Sequence, residues 1–382
     1  MNFTILDTMR EATRLTAGGR LVEATAAIQR MMGGNATPSA SVEVGTTIEG
    51  TFERIGESQT PDASTLKPSF LGKVSLKDLV RPKGRTSISA NVVVPEGAQF
   101  EWATYAGPTG SRRYKLYVPS GHSADVPAPL VVMLHGCTQS PDDFASGTRM
   151  NDAAEASKFL VAYPEQTSAS NMQKCWNWFV DGDQRRDGGE PAEIAGISRQ
   201  IMGHHAVDPS RVYVAGLSAG GAMAAILGEA YPDLYAAIGV HSGLASGSAH
   251  DIPSAFAAMR EGAPGRSGNG RRTTVPAIVF HGDKDTTVNV RNAAAVAAQA
   301  KGSVSLAASS EKGTAVNGHG YTRTVCRDAA GQPVVEQWTI HGASHAWAGG
   351  SSAGSYTDSR GPDATGEMVR FFLEHPKTAA AN

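Results

Sequence analysis

One pentapeptide restricts what this chain can fold into: Gly216-Leu217-Ser218-Ala219-Gly220, set between a strand pattern and a helix pattern. Arg211-Val212-Tyr213-Val214-Ala215 before it reads as a buried strand, and Ala219–Glu229 after it reads as a helix. A serine at that junction sits on a sharp strand-to-helix turn with its hydroxyl exposed. The flanking residues must be small, because such a turn brings backbones close together. Ala222, Ala224 and Ala225 let the helix lie near the sheet. The helix N-terminus faces any negative charge that develops beside the serine. Ser218 is therefore the candidate nucleophile.

The surrounding pattern suits such a junction. Leu130–Leu134 is a continuous apolar run, fit for a central strand covered on both faces. Before it, Asn91–Val94, Phe100–Tyr105 and Arg113–Val118 read as strands, the last with alternating Tyr114, Leu116 and Val118. After the serine, Ala237–Val240, Pro276–Phe280 and Val334–Ile340 read as strands. Helices are expected at Val290–Gln299 and Gly366–Leu373. Strands alternating with helices predict an α/β protein, a mostly parallel sheet with helices on both faces.

The N-terminal part is different. Ile5, Leu6, Met9, Ala12 and Leu15 form one helical stripe, and Leu21, Ala24, Ala27, Ile28 and Met31 form a second beyond Gly18-Gly19. The expected organisation is a short helical hairpin over 1–34, a Ser/Thr/Gly/Pro-rich linker over 35–84 and a catalytic domain over 85–378. Helices this short are marginal alone, so the hairpin is expected to pack on the main domain or join two copies as a homodimer, with a partner-binding or targeting helix pair as the alternative. The 34 basic and 36 acidic residues are mixed along the chain and give a net charge of -2, so nothing calls for nucleic acid as a partner. Asp7 and Glu11 interrupt the N-terminus, and no apolar run is long enough to span a membrane; the expectation is a cytoplasmic protein. Three cysteines are too few for a disulfide scaffold but leave room for one bridge.

The residues that would complete a site follow in order. His135-Gly136-Cys137 closes the Leu130–Leu134 strand, and the N–H groups of Cys137 and Ala219 are the expected oxyanion hole. In folds with this elbow the order is serine, acid, histidine. His281-Gly282-Asp283-Lys284-Asp285 follows the Pro276–Phe280 strand, and Asp285 is favoured as the acid because it sits in an H-G-x-x-D-x-x-V pattern closed by Val288. Asp283 is the fallback, otherwise a brace for the loop. His345 in Gly342-Ala343-Ser344-His345-Ala346-Trp347 is the expected base, with His341 structural; His204, His205, His241 and His319 lack a matching context. No H-E-x-x-H or paired-cysteine spacing suggests a metal, and no phosphate loop suggests a cofactor. Asp181, Asp183, Asp187, Glu190 and Glu193 interleave with Arg185 and Arg186, which reads as a solvated loop with internal salt bridges rather than a calcium site.

Four segments together resemble the polyhydroxybutyrate depolymerase family of esterases, which also holds feruloyl and acetylxylan esterase-like members. They are Leu134-His135-Gly136-Cys137-Thr138-Gln139, Cys175-Trp176-Asn177-Trp178-Phe179, the Gly216–Gly220 elbow and Gly342–Trp347. The resemblance covers about Ala103 to Pro376. It implies the α/β-hydrolase fold, a triad of Ser218, Asp285 and His345, and Cys137 in the oxyanion region. It places Trp176 and Trp178 along the approach to the site, with core packing as the other reading of the pair. Cys137 and Cys175 resemble a pair that can form a bridge, leaving Cys326 free; residue types alone leave bridged and reduced states open. The implied substrate is an oligomeric or polymeric hydroxyalkanoate ester. Feruloyl or acetylxylan-type esters, an amide-linked polymer, or a non-catalytic binding role on the same fold are the alternatives.

Overall fold

The structure is a computed structural model, and it describes residues 92–263, 275–316 and 318–377. The expected hairpin over 1–34, the linker over 35–84 and both ends of the catalytic domain lie outside the described residues.

A ten-stranded sheet organises the rest. Its strands are β1 (Gln99–Gly107), β2 (Gly110–Val118), β3 (Ala128–Leu134), β4 (Leu160–Pro164), β5 (Val207–Leu217), β6 (Ala237–His241), β7 (Ala277–Gly282), β8 (Ala307–Thr314), β9 (Gly320–Arg327) and β10 (Pro333–Ile340). Across the sheet the order is β1-β2-β4-β3-β5-β6-β7-β10-β9-β8. The six central strands from β4 to β10 run parallel, while β1, β2, β9 and β8 add antiparallel margins. Two short strands, β11 (Trp347–Ala348) and β12 (Thr357–Asp358), pair separately.

The helices are α1 (Pro141–Thr148), α2 (Met150–Ser157), α3 (Gly189–His204), α4 (Ala219–Ala230), α5 (Ile252–Glu261), α6 (Arg291–Lys301) and α7 (Ala364–Leu373). The period of two in the strands decides where they go. Leu130, Val132 and Leu134 of β3 join Val212 and Val214 of β5 on one face, under Ile194 and Ile197 of α3, Met223 and Leu227 of α4, and Val296 of α6. Val131 and Met133 join Tyr213 and Ala215 on the other face, under Phe144 of α1, Met150 of α2, and Phe371 and Phe372 of α7. Every residue of β3 is buried, as the uninterrupted apolar run requires. Each large side chain buried this way contributes about 1.5–3 kcal/mol, so the central strands form the stable frame of the molecule. Among the described residues, no helix is long and apolar enough to cross a membrane.

Three differences from the sequence reading have physical reasons. Residues 92–94 form no strand: Val93 is 84% exposed, and the chain turns through Pro95–Ala98 before β1 begins. β4 and the β8–β9 hairpin were not expected. β4 is a five-residue apolar run too short to show a period, and β8 (AASSEKGT) is an exposed edge strand without apolar alternation.

Candidate active site

The ends of neighbouring parallel strands carry the candidate residues. Cys137 follows β3, Ser218 follows β5, Asp285 follows β7 and His345 follows β10, all leaving the sheet at the same edge. In open α/β sheets this edge is where ligands bind.

Ser218 stands at φ 57°, ψ −119°, a strained conformation for a residue with a side chain. Its N–H donates to the carbonyl of His241 at 2.9 Å. The small residues around it are required by contact. A Cβ on Gly220 would lie 2.0 Å from the carbonyl oxygen of Leu134, and one on Gly216 would lie 2.3 Å from the backbone of Gly220. The turn is thus wedged against the end of β3. Gly136 reaches the other side of the same turn, its Cβ direction 3.6 Å from the carbonyl of Leu217. The two predicted oxyanion donors, the N–H groups of Cys137 and Ala219, therefore flank one turn, and neither has an acceptor among the described residues.

The Cys137 loop is held by groups beneath it. Gln139 accepts from the Gly136 N–H at 2.8 Å and donates to Asp143 and to the Ser355 carbonyl. His135 is fully buried; its Nε2 accepts from the Gln166 N–H at 3.1 Å, and its Nδ1–H donates to the Gly136 carbonyl at 2.8 Å. Burial lowers the His135 pKa to about 4, so the ring is neutral in these bonds. A disulfide joins Cys137 to Cys175, and Cys326 is free and buried.

Trp176 and Trp178 take a different place from the one expected. Trp176 is fully enclosed, donates its indole N–H to the His135 carbonyl at 3.0 Å and stacks under Arg112. Trp178 is 5% exposed and packs edge-on against Phe179. Both belong to the core beneath the loop, where their area stabilises the fold rather than lining an approach. The acidic stretch is also not a fully solvated loop. Glu190 is 5% exposed and accepts from the N–H and side-chain amide of Asn177 at 2.7 and 2.9 Å. It also accepts from the Gln166 side chain, and Arg112 lies 3.8 Å away. Burial raises its pKa to about 7. Arg186 turns outward to Asp233. Among the described residues, no group of three or more His, Cys, Asp or Glu is disposed to hold a metal ion.

The loops that carry Asp285 and His345 meet because β7 and β10 pair with Gly282 opposite Ile340. His345 Nδ1–H donates to Asp285 Oδ2 at 2.6 Å. The other oxygen, Oδ1, accepts from the N–H groups of Thr287 and Val288 at 2.9 and 2.8 Å. Val288 thereby explains the spacing of the H-G-x-x-D-x-x-V pattern. His281, fully buried, donates Nε2–H to the Val288 carbonyl at 2.8 Å and lies 3.3 Å from Asp285 Oδ2. Burial opposes ionisation of Asp285, but the hydrogen bonds from His281, His345 and Val288 outweigh it and hold its pKa below the ordinary carboxylate value. With Nδ1 committed to Asp285, His345 has Nε2 open as an acceptor. Among the described residues no hydrogen bond joins that nitrogen to Ser218 Oγ. Such bonds often form only once substrate is bound.

Fold and site together define an α/β-hydrolase. An acetyl xylan esterase from Aspergillus awamori shares the fold, with a TM-score of 0.58 at 18% identity over 72% of this chain and 99% of that one. The chain belongs to the family described as esterase PHB depolymerase, whose sequence model matches residues 112–315, just over half of its length. The matched span includes Cys137, Ser218 and Asp285 and ends before His345. A poly(3-hydroxyalkanoate) depolymerase C from Paucimonas lemoignei is 36% identical over 250 residues, 62% of this chain and 58% of the relative. A feruloyl esterase B from Thermothelomyces thermophilus is 35% identical over 149 residues, 39% of this chain and 49% of the relative. A poly(3-hydroxybutyrate) depolymerase from Ralstonia pickettii is 28% identical over 279 residues, 66% of this chain and 55% of the relative. The chain thus spans about half the length of these relatives.

Proposed function

We propose that this protein is a serine esterase that hydrolyses hydroxyalkanoate esters, of the 3-hydroxybutyrate type, through an acyl-enzyme on Ser218. The observation that carries the reading is the partly buried Asp285–His345 hydrogen bond of 2.6 Å, at the same sheet edge as the strained Ser218 turn. Ser218 Oγ attacks the ester carbonyl while His345 Nε2 takes its proton. Asp285 holds the imidazole in the tautomer with hydrogen on Nδ1 and stabilises the cation that forms. The carbonyl oxygen becomes an anion against the N–H groups of Cys137 and Ala219; one such donor is worth about 3 kcal/mol. The proton then passes from His345 to the leaving alkoxide, and water repeats the sequence to release the acid.

The substrate class rests on the two relatives described as poly(3-hydroxyalkanoate) and poly(3-hydroxybutyrate) depolymerases. The feruloyl esterase relative supports a second reading, an aromatic ester. The test is acid release from a soluble 3-hydroxybutyrate trimer by the intact protein and by Ser218→Ala. Release that depends on Ser218 supports the hydroxyalkanoate reading. Cleavage of a feruloyl ester alone, equally dependent on Ser218, keeps the mechanism and replaces the substrate. Hydrolysis that survives Ser218→Ala overturns both.

A further inference from the structure

We infer that His241 is a positioning residue that ties the Ser218 turn to the His345 loop; the inference rests on the esterase reading above. The two catalytic arms start far apart. Three strand intervals separate β5 from β10, about 14 Å at the usual spacing. The loop after β10 must lean back over β7 and β6 for His345 to face Ser218, so something on β6 must hold it there.

His241 is the last residue of β6 and is fully buried. Its carbonyl accepts from the Ser218 N–H at 2.9 Å. Its ring Nε2 accepts from the N–H of Ala348 at 3.0 Å, three residues beyond His345. One residue thus holds both arms, one through its backbone and the other through its side chain. The ring is aligned between Phe280, at 5.8 Å and 12°, and Trp347, at 5.1 Å and 24°. Acceptance at Nε2 requires a neutral ring with hydrogen on Nδ1, which lies 3.2 Å from Ser242 Oγ. His281, His345 and Asp285 are the titratable groups near it, and burial, the largest influence, favours the neutral form. A hydrocarbon side chain would fill the same space and leave the Ala348 N–H without a partner. Packing alone therefore does not account for a histidine at this position.

The experiment compares steady-state hydrolysis of nitrophenyl butyrate by the intact protein, His241→Phe, His241→Gln, Ala348→Pro and Ser218→Ala. Phenylalanine keeps the stack and loses the acceptor; glutamine keeps an acceptor oxygen at the reach of Nε2. His241→Phe is expected to lower kcat about 10- to 100-fold with KM changed less than about twofold, since a small displacement of the base costs that much. His241→Gln is expected to recover kcat to within about threefold. If His241→Phe does not fold, Ala348→Pro removes the same hydrogen bond from the other side, and the same fall in kcat is expected. Wild-type kcat in the variant that folds, or a Gln variant as impaired as Phe, overturns the proposal. Full activity in Ser218→Ala instead overturns the esterase reading beneath it.

Discussion

Two aspartate–histidine pairs bridge the loops after β7 and β10, and the proposed mechanism uses only one of them. Asp283 meets His341 at 3.0 Å and Asp285 meets His345 at 2.6 Å. The first pair lies near solvent, with side chains 31% and 45% exposed, whereas the Asp285 side chain is fully buried and His345 is 12% exposed. Asp283 accepts from the Gly342 N–H at 2.7 Å and thereby fixes the start of the base loop. His341 spends both ring nitrogens on the protein, Nδ1 on Asp283 and Nε2 on Thr322 at 2.9 Å. His345 spends one. A base must keep a nitrogen for the proton it takes, so the free nitrogen separates the two pairs where the Asp–His distance does not.

The largest expected effect tests that distinction on the histidines. His345→Ala is expected to lower kcat for nitrophenyl butyrate about 10⁴-fold. His341→Ala is expected to stay within about threefold and to cost about 1 kcal/mol or less, as an exposed pair does. Comparable losses in the two variants would erase the distinction.

Next comes the support of the acid. His281→Leu removes a donor from the Asp285 carboxylate, and kcat is expected to fall about tenfold. His281→Gln restores a donor, and most of the activity should return. Equal rates for the intact protein and the Leu variant would show that the bonds from Thr287, Val288 and His345 suffice.

A smaller effect appears in stability. Burial lowers the His241 and His135 pKa values to about 3 and about 4, against 6.5 for a free histidine. The unfolded chain therefore takes up protons that the folded one refuses. The stability these groups supply is complete above about pH 6.5 and is lost as pH falls towards 4 and 3. Each contributes a slope of about 1.4 kcal/mol per pH unit. Urea unfolding at pH 7, 5.5 and 4.5 should show the fall, and His241→Gln should remove one proton's share of it. An unchanged slope in that variant would mean that His241 titrates normally.

Much of this was legible before the structure. β3 and β5 announce themselves because strands covered on both faces carry unbroken apolar runs. The elbow is legible because its contacts are local: Gly216 meets Gly220 four residues on. Asp285 could be preferred over Asp283 because Val288, three residues later, supplies its N–H within the motif. The role of His241 is not legible because its side-chain partner lies beyond any local pattern, and that of His281 is not legible although its partners are close in sequence. His241 bonds to Ala348, 107 residues away, and His281 gains meaning only from the burial of Asp285. Trp176 was misplaced for the converse reason. A tryptophan beside a site motif looks like a lining residue, and only its bond to the His135 carbonyl reveals a brace.

The most direct test sets Asp285→Asn against Asp283→Asn, both assayed for kcat on nitrophenyl butyrate and for folding by thermal unfolding. Asparagine preserves shape and removes the charge that fixes the histidine tautomer. The account predicts a loss of about 10³- to 10⁴-fold for Asp285→Asn in a folded protein. For Asp283→Asn it predicts a rate within about threefold of the intact protein. A folded Asp285→Asn variant with near-normal kcat, or a loss at Asp283 as large as that at Asp285, would contradict it.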